Sequence, residues 1–384
     1  MSKSIFKNSL KLFITALVVI GFSVKGLCQS NSLCTIEIKN PSAIFRDHEL
    51  VSFPYEKLLA KLSGSKAFKL IELQTETEIP FQLEYKGKKQ PVNVLMQISC
   101  APGARILVAV VSGNPAVVAP KTFARFVPER FDDFAWENDR VAFRMYGQAL
   151  ESRKDNAYGI DVWSKRTSDL IINKWYKSGD YHIDHGEGLD CYGVGLTLGA
   201  GDIAPYINDS IYFTNNFKSW KILDNGPLRS TFQLTYAIKN VANIPVAVTK
   251  TISLDAGSQL NRVEVTFNYS GNSELPVVIG IVKRNGKGKI LFDEQQSIMG
   301  YWEPENPANG TTGVGCVFTQ PVKGMTIAKG HILSSAKIHS QQPYVYYTGV
   351  AWNKANKITS SEKWFTYLSD FSNTVKHPLE INIR

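Results

Sequence analysis

Short runs in which apolar and polar residues alternate, or in which β-branched residues crowd together, recur along nearly the whole chain. They include Cys34-Thr-Ile-Glu-Ile-Lys39, Val92 to Ile98, Arg105 to Val111, Val141 to Tyr146, Ser230 to Ala237, Val246 to Leu254, Arg262 to Tyr269 and Val277 to Val282. A period of two puts successive side chains on opposite faces of a strand, so each run can bury one face and wet the other. Pro102-Gly103, Asn225-Gly226-Pro227 and Asn285-Gly286 punctuate the intervals in the manner of turns. Helical patterning is sparse, with Tyr55 to Leu62 the best candidate. The pattern predicts an all-β protein of packed antiparallel sheets. The absence of a fixed-period repeat argues against a solenoid or a propeller.

Proline-flanked residues around Ala119 to Pro128 mark a boundary. They divide a small N-terminal β-sandwich, 29–120, from a larger β domain, 129–384, in a chain long enough for two domains. The first residues carry Lys3, Lys7 and Lys11 without an acid, then an apolar run from Leu12 to Val24. That run is too short for a comfortable membrane span, which needs about 20 residues, and fits a signal peptide over 1–28. Cleavage after Cys28 would leave Gln29 as the new terminus and place the protein in the periplasm or outside the cell. A lipid anchor on Cys28 is the weaker alternative, because Leu27 stands where lipoprotein signals want a small residue.

Without the leader the chain holds 39 basic and 34 acidic residues, a net +5 in place of +9. No block of Lys and Arg remains that would track phosphates, so nucleic acid is not an expected partner. Later apolar runs are of strand length, so no transmembrane segment is expected after cleavage. Four cysteines remain, Cys34, Cys100, Cys191 and Cys316, too few for a disulfide framework and open to three pairings.

Dense polar chemistry is confined to the second span. Residues 181 to 190 read Tyr181-His182-Ile183-Asp184-His185-Gly186-Glu187-Gly188-Leu189-Asp190. Such a concentration of groups that titrate or ligate is typical of a site. It also suits a polar loop whose histidines are merely hydrogen-bonded. In Arg140 to Gly147, alternation sets Ala142, Arg144 and Tyr146 on one face and Val141, Phe143 and Met145 on the other. Arg144 could then hold a carboxylate and Tyr146 move a proton, unless the face is simply solvated.

The stretch Gly159 to Arg166, followed by Asn173-Lys174-Trp175-Tyr176-Lys177, interleaves rings with cations. That suits a groove for anionic sugars, and equally a strand whose tryptophans are core. No cofactor is expected to be required. A divalent cation held by His185, Glu187 and a ligand from elsewhere is the alternative, although neither zinc-protease nor calcium-loop spacing is present. Arg46-Asp47-His48-Glu49 and Tyr301-Trp302-Glu303-Pro304-Glu305 form two weaker clusters.

The ordered set Arg140 to Gly147, Gly159-Ile-Asp-Val-Trp163, Lys174-Trp-Tyr176 and Tyr181 to Asp190 resembles an exported bacterial family catalogued as a domain of unknown function. Its members resemble galactose-mutarotase-like β-supersandwich proteins and tend to accompany polysaccharide-degrading enzymes. The resemblance implies a supersandwich preceded by a small β domain, acting on an anionic oligosaccharide or polysaccharide. The activity it implies is elimination at uronic acid residues, by a lyase or a dehydratase. Elimination needs a neutralised carboxylate, a base at C5 and an acid for the departing oxygen. The expected catalytic residues are His182, His185, Tyr181 and Tyr146, with Arg144, Lys174, Trp175, Glu187 and Asp190 binding substrate. An epimerase or mutarotase, a hydrolase and a non-catalytic glycan-binding protein are the competing expectations.

Overall fold

The computed structural model describes residues 32–384 except 63, 65, 66, 272 and 323; the leader expected over 1–28, with Cys28, falls outside the described residues. Each of the eight runs named above falls mainly on a strand, and among the described residues the pairings between strands are antiparallel apart from isolated parallel bridges. The chain is an all-β sandwich protein.

Two sheets build the N-terminal unit. Ser32–Lys39, Arg105–Ser112, Phe68–Glu72 and Thr77–Glu78 form one sheet, and Arg46–Pro54, Asn93–Cys100 and Phe81–Glu84 form the other. Ile36, Ile38, Leu70, Val94, Met96, Val108 and Val110 fill the space between them. The chain's last strand, Glu380–Ile383, returns to pair with Ser32–Lys39, so the span drawn to 384 gives its end to the first unit. The strand Thr122–Val127, inside the boundary region, pairs with Asp133–Asn138 and thus joins the second unit.

That second unit is built on one large sheet that includes Phe217–Asn225, Arg229–Tyr236, Ile244–Asp255, Leu260–Asn268, Pro343–Trp352, Thr312–Phe318, Ile298–Trp302 and Lys289–Asp293. Two five-stranded sheets lie across it. One is ordered Ser210–Ile211, Ala200–Ile207, Leu275–Val282, His331–Ile338, Met325–Ala328, and the other Gly188–Leu189, Asp161–Lys165, Ala142–Met145, Asp133–Asn138, Thr122–Val127. A continuous core joins all three, with Trp136 and Phe143 from one small sheet, Ile279 and Ile281 from the other, and Phe232, Val263 and Tyr346 from the large one. On the far face of the large sheet, the helix Ser361–Lys376 packs Trp364 and Leu368 onto Ile298 and Val317.

The four described cysteines are unpaired. Among the described residues no helix is long and apolar enough to cross a membrane.

Candidate functional site

The small sheet that carries Arg144 is buried on both faces, because a helix and a loop cover its outer side. Alternation sends Val141, Phe143 and Met145 into the main core, while Ala142 joins Trp163, Ile171, Ile172, Trp175 and Tyr181 in a second core outside the sheet. Tyr146 departs from the pattern. Its ring belongs to the main core, and only its hydroxyl reaches the Arg144 side, where it donates to Asp161 Oδ2 at 2.8 Å.

Glu137 fixes the covering helix, Ile172–Ser178. The residue preceding that helix caps nothing with its own side chain, so the first amides need an acceptor from elsewhere. Glu137 accepts from the Ile171 and Ile172 amides at 2.8 Å each, and from Lys165 Nζ at 2.8 Å. The helix lays Trp175 flat on Trp163, with ring centroids 5.4 Å apart, and turns Lys174 to solvent. Gly179, at φ 71°, ends it.

The loop then returns to the sheet at Gly188, at φ 124°. A Cβ there would collide with the Ser164 carbonyl, so only glycine permits Gly188–Leu189 to pair with Ser164 and Lys165. The pairing delivers Asp190 beneath the loop, against Arg144.

Arg144 and Asp161 are directly opposed across neighbouring strands, and Arg144 Nε donates to Asp161 Oδ2 at 2.6 Å. Arg144 Nη2 donates to Asp190 Oδ2 at 2.8 Å, and Nη1 lies 3.6 Å from Asp133 Oδ2 without a hydrogen bond. One guanidinium therefore faces three carboxyl groups, all nearly sealed from water. Burial pulls the Arg144 pKa down, but the charges of Asp161 and then Asp190 outweigh it and hold the pKa well above its ordinary value.

Two surplus negative charges in such a place are costly, and protons relieve them. Burial pushes Asp133 up to about 7 against the pull of Arg144 and Arg130. Burial, followed by the charge of Asp161, pushes Asp190 up to about 7. The Tyr176 hydroxyl donates to Asp133 at 3.2 Å.

The cluster meets solvent at His182, whose side chain is 59% exposed. His182 Nδ1 is 3.0 Å from the Asp190 carbonyl oxygen and 3.6 Å from Asp190 Oδ2. A carbonyl only accepts, so in the neutral ring the proton sits on Nδ1 and the Nε2 lone pair is free. Beside it Tyr181, whose ring lies 4.7 Å from that of His182, accepts a hydrogen bond from Arg130 Nε at 2.9 Å. Its own hydroxyl proton therefore remains available to donate.

The nine residues anticipated from sequence fall into three groups. Arg144, Tyr146, Tyr181, His182 and Asp190 come together. Lys174, Trp175 and Glu187 form a separate group, with Lys174 Nζ and Trp175 Nε1 donating to the Glu187 carboxylate at 2.6 and 3.3 Å. The bond from Lys174 holds that carboxyl below its ordinary range. Trp175 is buried and its indole is stacked on Trp163, so it does not present an open platform.

His185 stands apart from both groups, exposed and bonded to Asp180 at 3.1 Å. The cation pair imagined for it and Glu187 is not assembled, and among the described residues no three His, Cys, Asp or Glu side chains converge on a metal position. Arg130, Asp133, Asp161 and Tyr176 belong to the Arg144 cluster and were not anticipated as site residues.

A family model described as a domain of unknown function, DUF4861, matches residues 38–381. The chain belongs to the DUF4861 family. A relative printed as "Uncharacterized protein P7", from Formosa agariphila, is 34% identical over 283 residues, which are 68% of this chain and 70% of that protein. Two solved structures share the fold of this DUF4861 chain at 11% identity. One is a glycosyl hydrolase family 38 protein from Enterococcus faecalis (TM-score 0.53, 91% of this chain and 47% of that one). The other is an α-mannosidase from Enterococcus faecalis V583, matched at TM-score 0.53 over 91% of this chain and 46% of that one. The DUF4861 chain thus spans about half the length of those two proteins.

Proposed function

We propose that this protein is an exported carbohydrate-active enzyme that catalyses β-elimination at a uronic acid residue of an oligosaccharide. The observation that carries the reading is the exposed His182, with a free Nε2, seated on Asp190 in a buried cluster of three carboxyls and one guanidinium. The antiparallel sandwich supports reading the fold as galactose-mutarotase-like, and the glycosidase names of the two structural neighbours supply a carbohydrate context by analogy of fold alone.

In this reading His182 Nε2 takes the C5 proton, the C4–O bond breaks, and a C4–C5 double bond forms. Tyr181 returns a proton to the departing oxygen. Asp190 positions His182 and stabilises the imidazolium that forms. Arg144 is spent on Asp161 and Asp190, so the substrate carboxylate falls to Arg130, which already lies beside Tyr181. A sugar as departing group makes a lyase and water makes a dehydratase.

The test is the ultraviolet absorbance of a conjugated unsaturated uronate, followed with mass spectrometry, when wild type and His182→Ala meet polyuronates and their pre-cleaved oligosaccharides. A His182-dependent change with the matching product mass is the expected result. Saturable binding with no turnover in wild type would instead make the protein a glycan-binding module.

A further inference from the structure

A cleft of about 330 Å³ lies next along the chain from Asp190, where Cys191, Tyr192 and Gly193 form one wall and residues of the Glu303 to Gly310 loop the other. Its volume suits a small ligand of one or two rings. We propose that this cleft is a subsite for an uncharged sugar residue. The substrate would then be a mixed acidic and neutral glycan, its uronic acid at His182 and a neutral unit here. The inference rests on the carbohydrate part of the proposed function and goes beyond its chemistry.

Charge is the first argument. Arg284 contributes the cleft's cation, and it is already paired, with Nε donating to Glu303 Oε1 at 2.8 Å and Nη1 to the Gly193 carbonyl at 2.6 Å. Glu305 adds a second carboxylate to the lining, and the one lining cation is already paired, so the lining offers an anionic group no free cation.

Hydrogen-bonding capacity is the second. The side-chain amides of Asn285 and Asn309 line the cleft and make no hydrogen bond with any described residue. Each offers two donors and an acceptor, the mixture that sugar hydroxyls match. The Arg284 guanidinium is held 4.4 Å from the centre of the Tyr192 ring, which fixes its direction before any ligand arrives.

Continuity with the His182 region is the third. Arg166 pairs with Asp184 in the 181–190 loop and lies 4.9 Å above the Trp352 ring, whose Nε1 donates to the Asn309 carbonyl at 2.7 Å. The rim of the cleft and the loop that carries His182 are thereby tied to one another. Asp190, on which His182 is seated, precedes the Cys191 wall of the cleft directly in the chain.

Gly193 gives a clean way to close the cleft. No atom lies within 4 Å of where its Cβ would stand, and its φ is not positive, so Gly193→Leu adds bulk without clash or strain. The experiment is calorimetric titration of full-length His182→Ala, with and without Gly193→Leu, using mannotriose, galactotriose and xylotriose, with trigalacturonate as the anionic probe. Asn285→Ala/Asn309→Ala serves as a second variant, and all must keep the parent's thermal midpoint.

At least one uncharged trisaccharide should bind, and both sets of changes should weaken it about tenfold or more. No binding of the three, binding indifferent to both variants, or dependence on Gly193 for trigalacturonate alone would overturn the proposal. If uncharged-sugar binding behaves as expected while wild type eliminates nothing, the cleft assignment stands and the catalytic reading alone falls.

Discussion

Two of the ionic assemblies buried in the second unit differ in one respect that decides what each can do. In the main core, Lys250 on the large sheet meets Asp202 on the facing small sheet, with Nζ 2.6 and 2.8 Å from the two carboxylate oxygens and 4.5 Å from the Tyr236 ring. One charge answers one charge, both are sealed, and burial lowers the Lys250 pKa against the opposing pull of Asp202. Outside the neighbouring sheet, Arg144 answers three carboxyls and the assembly opens to water through His182. In the first, each charge is answered by its neighbour. In the second, acids outnumber the cation and a solvent gate is present, the features that the proposed general acid–base chemistry would use.

The sharpest way to break this comparison is to remove each cation. Arg144→Met and Lys250→Met should each cost about 3–5 kcal/mol of stability in urea unfolding, because both leave buried carboxylates uncompensated. The repairs should diverge. Lys250→Met/Asp202→Leu should be neutral or stabilising by as much as about 4 kcal/mol and should keep activity. Arg144→Met/Asp161→Asn should stay inactive whatever its stability, since Asp190 loses its anchor. Recovery of activity in that double variant would show that the Arg144 cluster is as structural as the core pair.

His182→Ala should follow in size, with activity lower by at least about 100-fold. Its stability should stay within about 0.5 kcal/mol of wild type, as befits a side chain that is largely exposed. A loss of stability matching the loss of activity would make His182 part of the fold.

The pH dependence is smaller and has a definite sign. Asp133 and Asp190 have pKa values raised to about 7, so between about pH 4 and 7 the folded chain binds more protons than the unfolded one. Their contribution to stability is complete below that window and is lost as the pH rises through it. Asp190→Asn should flatten this part of the slope in urea titrations. The smallest effect belongs to His185→Ala. Its exposed pair with Asp180 should contribute less than about 0.5 kcal/mol, and activity should change by no more than a few-fold. A large loss there would move the site along the loop.

The strands were legible because period-two alternation survives wherever one face is buried, as in Ile244–Asp255, where buried and half-buried residues alternate. The helix Ser361–Lys376 was harder to see. Its buried contacts rest on Trp364 and Leu368, one turn apart, among aromatic and hydroxyl residues that also favour strands, and its clearest signal is the Ser360 side chain accepting from the Lys363 amide. Helix Ile172–Ser178 carries no cap of its own; Glu137, a distant residue, supplies it.

In the site, the 181–190 cluster and Arg144 announced themselves by density and alternation. Asp161 was visible as the acid on the same strand face as Trp163 and Lys165, but its value depends on lying opposite Arg144, which pairing register alone decides. Asp133 and Arg130 drew no reading from the sequence, because nothing local reports burial. Trp175 and Tyr146 carried functional residue types into core positions, where packing rather than chemistry explains them.

The most direct test is infrared difference spectroscopy of the protonated carboxyl band at pH 6, comparing wild type with Asp190→Asn and with Asp133→Asn/Asp190→Asn. The account predicts a band that Asp190→Asn weakens, that the double variant weakens further, and that fades in wild type as the pH is raised to 9. A spectrum in which neither variant changes the band would mean that the cluster around Arg144 is fully ionised, and the contrast with the Lys250 pair would be void.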